Sequence, residues 1–130
     1  MFEKEKVEDV IELTRREHWP YPIVFNMLIE AGVTHYETHV ALFETVYSGE
    51  GGELTERGPK NFKAVPAAAF SVDELKRAIV RNQRRETDYP QFLKDIAAAG
   101  VHTYHVDMEA RTVTYRGGQG ETHVESVPQP

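Results

Sequence analysis

Apolar residues recur with a period near 3.6 twice before residue 32 and twice more after residue 70, and each time the period then drops to two. Val7, Val10, Ile11 and Thr14 stand at i, i+3, i+4 and i+7, which is one face of a helix over about residues 3–17. A second helix follows in Ile23-Val-Phe-Asn-Met-Leu-Ile29, apolar nearly all round and so expected to be more buried than its copy in the second half. Pro22 suits its first turn and Gly32 can supply a left-handed stop. The alternation Tyr36-Glu-Thr-His-Val40 and the segment Thr45-Val-Tyr47 then predict two strands.

The second half repeats this order. Ser71-Val-Asp-Glu74 has the form of a capping box, and the helix it opens is expected over about 72–86, burying Val72, Leu75, Ala78 and Ile79. Pro90 and Gly100 bound the next helix, whose inward stripe is Phe92, Leu93, Ile96 and Ala97. Tyr104, Val106 and Met108 alternate with Thr103, His105 and Asp107, and Glu109-Ala-Arg111 turns the chain into Thr112-Val-Thr-Tyr115. One more strand is expected at His123–Val127.

The parallel is a true internal repeat. Tyr89-Pro90 lies 68 positions after Tyr21-Pro22, and without a gap the same offset aligns Gly32 with Gly100, Tyr36 with Tyr104, and Tyr47 with Tyr115. About a dozen identities fall among roughly fifty pairs, mostly at Gly, Pro and Tyr. These are the residues that start a helix, stop it and pack a hairpin. The expected fold is therefore α+β, a tandem (ααββ)×2 duplication with pseudo-twofold symmetry and an antiparallel sheet packed against helices. One domain over residues 1–130 is expected, its repeats at about 3–56 and 71–127 joined by a connector at 57–70. Lys60–Val65 in that connector could be extended, and the Gln129–Pro130 end is expected to be disordered.

Composition narrows the chemistry. The absence of cysteine excludes disulfides, thiolate zinc sites and cysteine nucleophiles. The start MFEKEKVEDV is too charged for a signal peptide, and no apolar run is long enough to span a bilayer, so a cytoplasmic location is expected and no membrane partner. A formal charge of −6 disfavours nucleic acid as a partner.

The order helix, YP, AGV and a YETHV to VYSG hairpin, followed by RRETDYPQFLKDIAAAGVHTYHVDMEARTVTY and HVESVP, resembles the YbcV-like family of uncharacterised bacterial proteins. This is domain of unknown function family 1398, sometimes labelled phage envelope protein. The likeness is most specific from Thr87 to Val127. It implies an α+β fold of bacterial or phage-derived origin and carries no catalytic residue to any position here.

Candidate chemistry gathers on one polar strand face. His35, Glu37 and His39 share a side of the first strand, and Thr103, His105 and Asp107 share the equivalent side of its copy. If the strands meet, His35, His39, His105 and Asp107 could ligate zinc, nickel or iron, and Glu37 beside His105 could tune a general base. The opposing reading is a solvated sheet face, and no spacing such as HExxH fixes ligands. No cofactor is expected.

Arg77, Arg81 and Arg84 or Arg85 form a basic helical stripe with acidic neighbours for pairing. The Gly-rich hairpin ends lack a phosphate loop's lysine and read as turns needing positive φ. The tyrosines are expected between sheet and helices with hydroxyls at an edge. Trp19-Pro20-Tyr21-Pro22 is expected to be a helix-to-helix corner, with a cis bond or a contact surface as the alternatives. The favoured function is a non-enzymatic interaction or ligand-binding module, partnered by a protein, a small molecule or a second copy. A small metal- or His-dependent enzyme acting through His35, Glu37, His39, His105 and Asp107 is the alternative.

Overall fold

The computed structural model describes residues 1–17 and 19–127. Helices α1 (Lys4–Glu17) and α2 (Tyr21–Glu30) precede strands β1 (Val33–His39), β2 (Glu44–Gly49) and β3 (Gly52–Arg57). The second half supplies α3 (Val72–Gln83), α4 (Tyr89–Ala98), β4 (Val101–Asp107), β5 (Thr112–Gly117) and β6 (Thr122–Ser126). All neighbours pair antiparallel in one sheet of order β3-β2-β1-β4-β5-β6. The tandem α+β arrangement is thus present, with a third strand added to each half. Because Glu37 pairs with His105, and these two residues are themselves 68 apart, the pseudo-twofold axis passes between them.

The core is built by equivalent residues. Val7 and Leu75, Phe25 and Leu93, and Val33 and Val101 are each 3% exposed or less. Each fully hidden side chain of this size stabilises the fold by about 1.5–3 kcal/mol relative to exposure. Glu3 N–H donates to Ala31 O and Ser71 N–H to Ala99 O, both at 2.8 Å, so both halves lock their first segment onto the end of their second helix in the same way.

Gly32 and Gly100 end α2 and α4 at the same φ of 93°. An added Cβ would lie 2.1 Å from Met1 O at Gly32 and 2.4 Å from Ala69 O at Gly100. The two glycines are needed for the turn and for the backbone crossing over it.

Several expectations are corrected. Helix α3 stops at Gln83, because Arg85 takes a left-handed φ of 62° and Glu86 N–H donates back to Arg81 O at 2.9 Å, closing the helix end. Val72 shares the face of Leu75 and Ile79, but as the first residue of the helix it is 37% exposed at the end of that stripe. Only half the capping box forms. Ser71 Oγ accepts from Glu74 N–H, but Ser71 N–H is taken by Ala99 O and Glu74 pairs with Arg77 instead.

Helix α2 hides Val24, Phe25 and Leu28 but leaves Ile29 41% exposed, whereas α4 hides four side chains. The all-round apolar helix is therefore only half-buried on its flanks. No strand forms at Lys60–Val65; Gly52–Arg57, read as the end of the hairpin and the start of the connector, form β3. Among the described residues no peptide bond is cis, and Pro20–Tyr21 is a helix corner. The Gln129–Pro130 end lies outside the described residues.

The edge strands break the symmetry. Tyr47 pairs with Leu54, but its copy Tyr115 pairs with His123, one residue beyond the equivalent Thr122. A one-residue shift turns a strand over. His123 and Glu125 therefore face the helix side and Val124 is left 55% exposed on the other.

Candidate functional site

All six tyrosines collect on the helix side of the sheet, in three repeat-related pairs. Tyr21 and Tyr36 hydroxyls hydrogen-bond to each other, and Tyr89 and Tyr104 do the same at 2.5 Å. Tyr36 and Tyr47 rings lie 5.0 Å apart, and Tyr104 and Tyr115 rings 5.8 Å. The hydroxyls meet between sheet and helices, although Tyr21 and Tyr89 stay 40% and 38% exposed at the edge. Burial away from water pushes all six phenols above their usual ionisation range, most strongly for Tyr36 and Tyr104 in the centre.

Each hydroxyl pair also receives a polar neighbour from the other half. Thr38 and Thr45, hydrogen-bonded at 2.7 Å and buried, lower the cost of ionising Tyr89. Arg111 does so for Tyr21, with its guanidinium 4.5 Å over the Phe25 ring and Nη1 donating to Asn26 Oδ1 at 3.0 Å. This network closes the core and opens into no cavity among those described.

Among the described residues no helix covers the opposite face of the sheet, and here every candidate site residue is found. His35 and Asp107 face each other across β1 and β4, as do Glu37 and His105, and His39 and Thr103. The sequence alternation put these side chains on one side; pairing of β1 with β4 brought the two sets together. Glu37 is the hub. Its carboxylate lies 3.5 Å from Arg116 Nη1, 3.7 Å from His105 Nδ1 and 3.9 Å from His39 Nε2. The His35 and His105 rings stack with centroids 5.6 Å apart.

Not all of the set is available for chemistry. Asp107 Oδ1 accepts from Ala110 N–H at 3.0 Å and so holds the β4–β5 turn. His35 Nδ1 bonds Thr34 Oγ1 at 3.0 Å. Among the described residues no group of three or more His, Asp or Glu is arranged to hold a metal ion. Arg116 was missed by sequence reasoning. Its signal was the hairpin register, which sets it opposite Thr103 and so on the same face.

The face is partly exposed, with Glu37 36%, His39 44% and Arg116 48% accessible. The best-formed depressions lie elsewhere, one of about 360 Å³ along α3 and one of about 310 Å³ between α1 and α2. Around Glu37 and His105 the surface is completed by Thr55, Val46, Thr114 and Val124 in one row, and by Ser48, Thr112 and Ser126 in the next. Arg57 and Glu44 pair at 2.9 Å at its corner.

Fold and face together define an internally duplicated α+β protein whose antiparallel sheet is, among the described residues, covered by helices on one side only. The chain belongs to the family described as protein of unknown function (DUF1398), which matches residues 11–125. It is 28% identical over 106 residues to uncharacterised proteins of Mycobacterium bovis (Mb2035) and Mycobacterium tuberculosis strain H37Rv (Rv2012). That match covers 81% of this chain and 65% of theirs, so the chain spans less than two thirds of these relatives' length. Among the described residues no helix is long and apolar enough to cross a membrane.

Proposed function

We propose that this chain is a non-enzymatic interaction module that binds a protein partner through the uncovered sheet face, acting in the cytoplasm as one domain of two repeats. The observation that carries this reading is a six-stranded sheet whose polar face, centred on Glu37 and His105, is covered by no helix among the described residues. Such a sheet face suits a large partner better than a small substrate, which needs a concave site. Glu37, Glu44, Glu53 and Asp107 outnumber Arg57 and Arg116 on that face, so a phosphate backbone is a poor fit. The YbcV-like and phage-envelope labels add no chemistry to this reading.

The test is a photoreactive residue placed at Thr55 or Thr122 on the face, with Gln83 on α3 as the control. Irradiation in a native bacterial host is expected to give one discrete protein adduct from the face positions and none from Gln83. Absence of an adduct from both face positions would overturn the proposal.

One arrangement favours a second reading. Glu37 between His39 and His105 is an acid–base set, the core of a small His-dependent or metal-dependent enzyme. Its measurement is elemental analysis together with thermal shift in zinc and nickel. Bound metal, or a shift lost in His39→Ala and His105→Ala, would move the function to this reading.

A further inference from the structure

The two outer helices are copies of each other, yet their exposed stripes carry opposite charge. On α1, Glu5, Glu8, Asp9 and Glu12 stand at i, i+3, i+4 and i+7 and are all exposed. On α3 the equivalent stretch presents Lys76, Arg77, Arg81 and Arg84, flanking Val80, which is 41% exposed. These five residues line the 360 Å³ depression. Glu8 becomes Lys76 and Asp9 becomes Arg77 under the 68-residue offset. Internal pairing neutralises only part of this. Glu12 meets Arg16 at 4.0 Å, Arg77 meets Glu74 and Arg81 meets Asp95 at 3.6 Å, but among the described residues Glu5, Glu8, Asp9, Lys76 and Arg84 make no ion pair.

The geometry points to a second copy of this chain as the occupant: α1 of one copy lies antiparallel on α3 of the other, forming a twofold dimer. Charge order selects the direction. Antiparallel, Glu5 faces Arg84, Glu8 faces Arg81, Glu12 faces Arg77 and Arg16 faces Asp73, so every facing pair is opposite in sign. Parallel, Glu5 would meet Asp73 and Arg16 would meet Arg84, like against like at both ends. A twofold axis that sets α1 of the first copy on α3 of the second sets the first copy's α3 on the second's α1, so the contact forms twice and closes. A lone acidic partner would use the α3 stripe and leave that of α1 unexplained. Complementary charges chiefly select partner and direction, and on exposed helices they are screened by salt.

The experiment is mass by light scattering on the full chain and on two charge-reversed variants, Glu5→Lys/Glu12→Lys and Arg77→Glu/Arg84→Glu, each checked for folding by circular dichroism. The wild type is expected to have twice the chain mass at low salt and to dissociate as salt rises. Each variant alone is expected to be monomeric, since positions 5 and 12 then carry the same sign as the positions 84 and 77 that they face. An equimolar mixture is expected to regain the doubled mass, because each variant supplies what the other lacks. A monomeric wild type, a variant that stays dimeric alone, or a mixture that stays monomeric would overturn the inference. None of these outcomes depends on the uncovered sheet face.

Discussion

Tyr21–Tyr36 and Tyr89–Tyr104 are the same contact made twice, but their surroundings differ. Opposite Tyr104 stands Thr38, while opposite Tyr36 stands the equivalent Val106. Thr45 is matched by Val113 across the same offset. The turn residues diverge in the complementary sense. Phe43 and Arg111 occupy equivalent positions with φ of 49° and 55°, yet Phe43 packs its ring on Tyr89 and Arg111 brings charge to Tyr21. The second pair draws polarity from the strands, and the first draws it from the turn. A duplicated core can thus keep its hydroxyl contacts while exchanging where their partners come from, because a buried hydroxyl must be satisfied by some neighbour.

The largest effect expected is alkaline unfolding. All six phenols have raised ionisation in the folded chain, so above pH of about 10 the unfolded chain loses protons that the folded chain keeps. The unfolded state then binds fewer protons, and stability falls as pH rises. Each fully buried tyrosine contributes about 1.4 kcal/mol per pH unit, so Tyr36, Tyr104 and Tyr115 give a slope of roughly 4, to which half-buried Tyr47 and the more exposed Tyr21 and Tyr89 add less. Tyrosinate absorbance is expected to appear in one step with the loss of circular dichroism. A gradual rise while the fold persists would show that the hydroxyls reach water.

Next in size is the asymmetry between Phe25 and Leu93, equivalent residues that are both 0% exposed. Leu93→Ala is expected to cost about 2–5 kcal/mol and Phe25→Ala about 3–5. Phe25→Ala also removes the ring under Arg111. Urea denaturation should rank Phe25→Ala as the more damaging; the reverse order would mean Arg111 is held by other groups.

The smallest effect separates the tyrosine pairs themselves. Tyr104→Phe leaves Tyr89 beside Thr38 and Thr45 and is expected to cost under about 1 kcal/mol. Tyr36→Phe leaves Tyr21 with fewer alternatives and is expected to cost about 1–3 kcal/mol, part of which Tyr21→Phe added to it should restore. Equal costs in the two halves would end the distinction drawn between them.

Most elements were legible because their signals are local. Pro22 and Pro90, Gly32 and Gly100, and the stripe Phe92, Leu93, Ile96, Ala97 mark the second helices directly. Strand β3 was not legible. In Gly52-Glu-Leu-Thr-Glu-Arg57 only Leu54 is buried, and an edge strand of charged residues is formed by its pairing with β2 more than by its own pattern. On the candidate face, the shared side of His35, Glu37 and His39 followed from the period of two. Arg116 joined Glu37 through two successive strand registers, which no local pattern encodes.

The sequence by itself determined the duplication, the order of the four helices and the β1–β2 and β4–β5 hairpins, and the side that the residues of those strands take, since helix period, backbone-breaking residues and alternation act within a few positions. Tertiary structure alone decided that β1 pairs with β4, so that Glu37 and His105 meet on the pseudo-twofold axis. It also decided that β6 slips by one residue and turns His123 toward the helices. Strand pairing is a contact between distant segments, and its register depends on turn length and on which faces can be buried together.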